Sequence, residues 1–251
     1  MANLNVAIFI IGSLIWDRRE HRDSWRQDRL QAGAGIPVSA PIRYGRISEE
    51  RSSTYTMVFS NELLPSRLGW ALVLPCRCTV STADQLVNEA QALWAAEQSK
   101  PSRPGPISAS WGAVGLLLNP NLTTADDIKA GWARRVEAER QHYEEFAHAH
   151  SEQSALGPDG ILSIPWPISE SGTPLNADLL LATATKPSLK NGSYATAQTI
   201  AEAWKRAPKE QRYFDENRRV GITTVDDYRI MKYLGEEPAK PLRLKRRSKA
   251  H

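Results

Sequence analysis

Val6-Ala7-Ile8-Phe9-Ile10-Ile11-Gly12-Ser13-Leu14-Ile15-Trp16 is the stretch on which the fold of this 251-residue chain turns. Its first six residues are apolar, rich in β-branched and aromatic types, and few. That combination reads as a buried strand. Gly12 and Ser13 break the run. A glycine at a strand end lets the backbone turn tightly and present successive N–H groups, a geometry suited to a carboxylate. The same dipeptide is also compatible with an ordinary turn, so the stretch alone leaves both readings open.

Working outward, the next informative segment is Ala83 to Glu97. Apolar residues fall at 83, 86, 87, 90, 93 and 94, which predicts a helix over 82–97 with one apolar stripe and Ser81 or Thr82 as its cap. At roughly 100° per residue, Glu97 falls in the arc of Leu86, Ala90 and Leu93. A carboxylate on the core face near a helix C-terminus is disfavoured in its charged form by desolvation and by the helix dipole, so its pKa is expected to rise. Such a group suits general acid–base work near neutral pH. The alternative is a frayed helix end with Glu97 in solvent.

Taken together, the turn and the helix resemble the gamma-glutamylcyclotransferase-like family, including its ChaC-type members. That family places a Tyr-Gly-Ser-Leu or Tyr-Gly-Ser-Asn turn after its first strand, continued in the ChaC-type version by Ile-Trp or Met-Trp. It ends a helix on its catalytic glutamate in a Leu-x-x-x-Glu context. Here the corresponding residues are Ile11-Gly12-Ser13-Leu14-Ile15-Trp16 and Leu93-Trp94-Ala95-Ala96-Glu97. Between them, Ile42-Arg43-Tyr44-Gly45-Arg46 and Gly69-Trp70-Ala71-Leu72-Val73 match the family's intervening strand signatures in order. The resemblance covers about residues 4–118 and is weaker for 160–235. The chain departs from the pattern at Ile11, where the motif has Tyr, at Ala96, where Arg is frequent, and at Gln98, where Gly is common.

The resemblance implies an α+β fold with a mixed sheet, partly closed as a barrel, with helices outside and a cavity at its mouth. It implies release of 5-oxoproline and an amine from a small γ-glutamyl substrate, with no cofactor and no metal. Glu97 would be the catalytic base, and Ile11, Gly12, Ser13, Leu14, Ile15 and Arg46 would bind substrate. Two other classes stay open: a non-catalytic ligand-binding or regulatory member of the fold, and a nucleic-acid-associated protein acting through its basic end.

Length and composition fit one domain over residues 1–239, with helical elaboration about 120–150 and 194–235. Hydrophobic residues make up 41% and charged residues 24%, the balance of a soluble globular chain. No apolar run approaches a membrane span and no export signal is evident, so a cytoplasmic location without membrane contact is expected. Cys76 and Cys78 read as reduced strand residues, since a bridge between them would be strained. The net charge of +4 is concentrated at the end: residues 240–251 hold six Lys and Arg and no acid, which leaves −2 for the rest. That tail reads as a solvated end, or as a contact for nucleic acid through counterion release.

Further strands are predicted at 37–47, 54–60, 68–74, 111–118, 160–164 and 178–184, and further helices at 124–149, 194–207 and 223–234. Segment 18–31 is highly charged and reads as helix or loop. Helix 124–149 has an apolar stripe of Ile128, Trp132, Val136, Tyr143 and Phe146, and a face of Glu139, His142, Glu145 and His148 expected to be solvated. Its Glu-x-x-His spacings occur in metal sites that draw ligands from four helices, which one helix cannot supply. Trp70, Trp94 and Trp111 are expected in the core. Ser13 lacks the Gly-x-Ser-x-Gly setting of a hydrolase nucleophile, and no phosphate-binding glycine motif occurs.

Overall fold

The first strand, β1 (Val6–Ile10), is buried along its whole length. Its continuous apolar run marks a central strand, and it is one: in the computed structural model it pairs antiparallel with β5 (Gly69–Pro75) on one side and parallel with β8 (Leu179–Thr185) on the other. The structure describes residues 3–31, 33–98, 105–123, 125–148 and 154–236. The basic tail, and most of the segment Lys100-Pro101-Ser102-Arg103-Pro104-Gly105-Pro106, whose prolines read as a loop following Glu97, lie outside them.

The six-stranded sheet is completed by β2 (Ile36–Ala40) beside β5, and by β7 (Gly112–Leu118) and β6 (Ser108–Ala109) beyond β8. β3 (Ile42–Ser48) and β4 (Thr54–Phe59) form a separate antiparallel hairpin. The α+β class is therefore as expected, but the partly closed barrel is not. The six-stranded sheet is open, with β2 and β6 as its edges.

The expected strand 37–47 is in fact two strands in two sheets. Pro41 separates them; with no N–H to donate it cannot continue the ladder, and its carbonyl instead accepts from Ser60 N–H at 2.8 Å. The segment 160–164 is not a strand. It touches β7 through one bridge at Leu116, and a second bridge links Leu156 to Leu162.

Among the described residues, seven helices pack around the sheets. α1 (Glu20–Arg29) resolves the open reading of 18–31 as helix. α2 (Ala83–Glu97) is close to its predicted bounds, with Thr82 as the capping residue and Gln85 completing a capping box. The helix expected over 124–149 is broken into α3 (Asp126–Glu137) and α4 (Arg140–His148). At the break, Glu139 N–H bonds to the Val136 carbonyl and His142 N–H to the Glu139 carbonyl, both i→i−3 tightenings. The Glu139 carboxylate is drawn inward, accepting from Ile107 N–H at 3.0 Å and from Ser108 Oγ and Arg135. The expected solvated Glu/His face is thus corrected at Glu139, a nearly buried acceptor, whereas Glu145 is exposed as expected and pairs with Lys186 at 2.9 Å. α5 (Ala197–Arg206), α6 (Arg212–Arg219) and α7 (Asp227–Leu234) follow. α6 was not foreseen.

One cluster of buried apolar side chains extends from Leu4 to Met231. Trp94 is fully buried, but Trp70, expected in the core, keeps 37% of its surface exposed. Alternation along β5 turns it away from the face that buries Ala71. Cys76 and Cys78 are both free, and they lie just past β5 rather than within it. Among the described residues, no helix is long and apolar enough to cross a membrane.

Candidate functional site

Because β1 and β8 run parallel, their C-terminal ends emerge on the same side of the sheet. After β1 the chain turns at Gly12 into a single 3-10 turn, Ser13–Ile15. The first N–H groups of such a turn have no partner inside it. A cavity of about 590 Å³ opens here. Its walls come from the β1 turn, the β8 end (Thr183, Thr185 and Lys186), the β3–β4 hairpin, the C-terminus of α2, and α6.

Of the residues singled out in the sequence, Ile11, Gly12, Ser13, Leu14, Arg46 and Glu97 all line this cavity. Ile15 does not. It is partly buried against the core, so its expected place at the site is corrected.

A residue that the sequence did not single out holds these parts together. Arg22 on α1 is 3% exposed. Its Nη2 donates to Glu97 Oε2 at 3.2 Å, Nη1 to Ser13 Oγ at 2.9 Å and Asp17 Oδ2 at 3.0 Å, and Nε to the Ala96 carbonyl at 2.9 Å. One guanidinium therefore fixes the C-terminus of α2 against the β1 turn. One helical turn further on, Arg26 donates to the Leu14 and Asp17 carbonyls. The two arginines at i and i+4 share a face of α1 and clamp the same turn.

Electrostatics follow from this packing. Burial pushes the Glu97 carboxyl above its ordinary value, against the lowering influence of Arg22, the Thr183 hydroxyl and Arg46. Its side chain retains 19% exposure, so the group is desolvated yet reachable. Asp17 behaves oppositely. Burial opposes its charge, but hydrogen bonds from Arg19 and the Arg22 guanidinium outweigh that and hold its pKa below the usual value. Burial lowers the Arg22 pKa in spite of Glu97 and Asp17.

Arg46 reaches the cavity because of a β-bulge. The β3–β4 register slips between Tyr44 and Arg46, around Gly45. An added Cβ on Gly45 would lie 2.7 Å from Val58 Cγ2 and 2.8 Å from the Tyr194 ring, so only glycine fits there. Bulges re-aim the side chains beside them. The Arg46 guanidinium lies 4.8 Å over the Trp111 ring, and Trp111 stacks on Trp94 at 4.7 Å and 20°. Trp111 is partly buried against the core, as the sequence suggested, and is also a wall of the cavity. Among the described residues, the Arg46 guanidinium has no carboxylate within ion-pair distance.

Tyr213 on α6 is a further unforeseen lining residue. It is 5% exposed, and Arg51 lies 4.7 Å over its ring. The arrangement provides one desolvated carboxylate, one buried and one half-buried guanidinium group, a turn of backbone donors and a phenol around one space. That set can hold an anionic group and accept a proton beside it. Comparisons of the chain with protein-family models, with curated proteins and with solved structures found no match to any of them.

Proposed function

We propose that this protein is a γ-glutamyl cyclotransferase-like enzyme, releasing 5-oxoproline and a free amine from a γ-glutamyl amide. One observation carries the reading: Glu97 and the Gly12–Ser13 turn share one cavity and are bridged by the same buried guanidinium. The family resemblance of the two motifs points to the same chemistry.

The substrate α-carboxylate would meet the turn N–H groups and Arg46. Glu97 would take a proton from the α-ammonium. The freed amine would attack the γ-carbonyl carbon, forming the new C–N bond while the carbonyl π pair moves to oxygen. Collapse would break the original amide C–N bond as the proton on Glu97 passes to the leaving amine; the Glu97 carboxylate so regenerated would take the second proton from the ring nitrogen, leaving a neutral lactam, and release it to the departing amine or to water. Arg22 would position the carboxylate by occupying Oε2. Nucleophile and electrophile belong to one molecule, so the cavity's contribution is to hold the folded-back conformer.

A second reading is favoured by Arg46, a guanidinium with no ion-pair partner among the described residues: a non-catalytic member of the fold that binds a small anion. The deciding measurement is 5-oxoproline release by pure protein from a panel of γ-glutamyl amides. Turnover by wild type, with kcat lowered ~10²–10⁴-fold in Glu97→Gln, supports the enzyme. Turnover that survives Glu97→Gln refutes the mechanism. An inactive wild type that still binds L-glutamate selects the binding protein.

A further inference from the structure

The Tyr213 hydroxyl stands where a side chain at position 12 would be. A Cβ built on Gly12 would fall 2.7 Å from Tyr213 Oη and 3.7 Å from Cζ. The Gly12 backbone itself is extended, at φ −166°, so glycine is needed there for the close approach of the phenol and not for its own conformation. The ring is fixed in place. It packs edge-on to Trp16 and Tyr44, with Arg51 over it.

The hydrogen bonding at this oxygen is one-sided. Met57 N–H donates to Tyr213 Oη at 3.3 Å, so the oxygen accepts. The Asn217 side chain also bears on this oxygen and lowers its pKa, but its Oδ1 already accepts from Trp16 Nε1 at 2.7 Å, and among the described residues no other acceptor reaches the phenol's own proton. A buried O–H without an acceptor is costly. This one borders the cavity beside the turn, and Glu97 bears on its electrostatics from the same space. Burial, the largest influence, holds its pKa above the ordinary tyrosine value, so the group stays a donor at neutral pH.

We infer that the Tyr213 hydroxyl is a hydrogen-bond donor to a ligand oxygen that enters the cavity beside Gly12, and in the cyclotransferase reading, on which this rests, that oxygen is the γ-carbonyl, next to the α-carboxylate held by the turn N–H groups and Arg46. When the α-amine attacks, the carbonyl π pair becomes an oxyanion. The Tyr213 O–H strengthens its bond to that oxygen without giving up the proton, and releases it as the carbonyl reforms and the leaving amine departs. A donor aimed at developing charge in a desolvated site acts mainly on the transition state.

The test compares wild type and Tyr213→Phe in two measurements: steady-state 5-oxoproline release, and calorimetric titration with 5-oxoproline, whose lactam carbonyl is the product form of the γ-carbonyl. The expected result is a kcat loss of ~10²–10³-fold, a smaller weakening that KM and the affinity for 5-oxoproline share, since both report a ground-state carbonyl, and unchanged circular dichroism. A kcat within twofold of wild type overturns the Tyr213 assignment and leaves the cyclotransferase reading intact. If wild type turns over nothing, that reading fails, and the titration decides Tyr213 alone: weakened binding in Tyr213→Phe supports the donor, and equal binding removes it. If wild type neither turns over nor binds, both fall. Should Tyr213→Phe not fold, Gly12→Ala replaces it, since the added methyl displaces the hydroxyl. It should show the same kcat loss, and wild-type kcat in Gly12→Ala would overturn the assignment.

Discussion

Arg22 and Glu97 are 75 residues apart in the chain and 3.2 Å apart in the fold. The pair joins the helix that ends on the candidate base to the helix that clamps the β1 turn. Arg22 also holds Asp17 and Ser13, so the geometry of the cavity depends on one cation.

Removing that cation leaves Glu97 without its ion pair and Asp17 with Arg19 alone, at 2.9 Å. Breaking a buried pair by deleting one partner typically costs about 3–5 kcal/mol. Arg22→Met is expected near the lower end, because Asp17 and Glu97 keep 16% and 19% exposure and so retain some water. Arg22→Lys should recover little, since one ammonium cannot reproduce donors along four directions. Urea unfolding of the three proteins at neutral pH measures this, and an Arg22→Met midpoint equal to wild type would contradict it.

The raised Glu97 pKa sets a pH dependence. The folded state prefers the protonated carboxyl more than the unfolded chain does, so the Glu97 contribution is fully present below the ordinary carboxyl value of 4.5 and is lost as pH rises through the folded value. Glu97→Gln mimics the neutral form and lacks that loss. The variant should therefore gain relative to wild type as pH rises from 4 to 8, read from paired denaturation midpoints. A difference that stays flat, or that grows in wild type's favour, would refute the desolvation argument. Any cyclotransferase kcat should run the other way, rising with pH as Glu97 becomes the base.

Gly12 and Tyr213 should couple. Gly12→Ala alone pushes a methyl against a fixed phenol oxygen, and overpacking of this kind costs about 1–3 kcal/mol. In a Tyr213→Phe background the nearest remaining ring atom is 3.7 Å away, an ordinary contact. The added cost of Gly12→Ala should then largely vanish, giving a double-mutant coupling of about 0.5–3 kcal/mol. Additive effects on unfolding free energy would show that the close approach does not constrain position 12.

Thr82 tests the scaffold separately from the chemistry. Its side chain accepts from Gln85 N–H at 3.3 Å as half of a capping box at the start of α2, far along the helix from Glu97. Thr82→Ala should cost about 1 kcal/mol of stability with kcat unchanged at temperatures where the protein stays folded. A selective fall in kcat would mean that the helix end is less rigid than the Arg22 bridge implies.

How much of this was legible in the sequence depends on the range of the interaction. Val6–Ile10 is a strand from its own apolar run, and Ala83–Glu97 is a capped helix from its stripe, because both signals lie within a few residues. The placement of Glu97 on the buried face followed from the same periodicity. The break at Pro41 was also local and could have been read. Only the tertiary structure decided that Arg22 is buried, since an arginine in a charged segment looks like surface until its partners arrive from residues 13, 17, 96 and 97. The same holds for Glu139, pulled inward by an N–H from Ile107, and for Tyr213, brought to Gly12 by a helix whose charged residues hid its apolar face. The aim of Arg46 was set by a bulge, a property of strand pairing that no single strand carries. The chain's local patterning determined its elements and one end of its cavity. Long-range ion pairing, register and packing decided what else faces that cavity, because those energies exist only between segments distant in sequence.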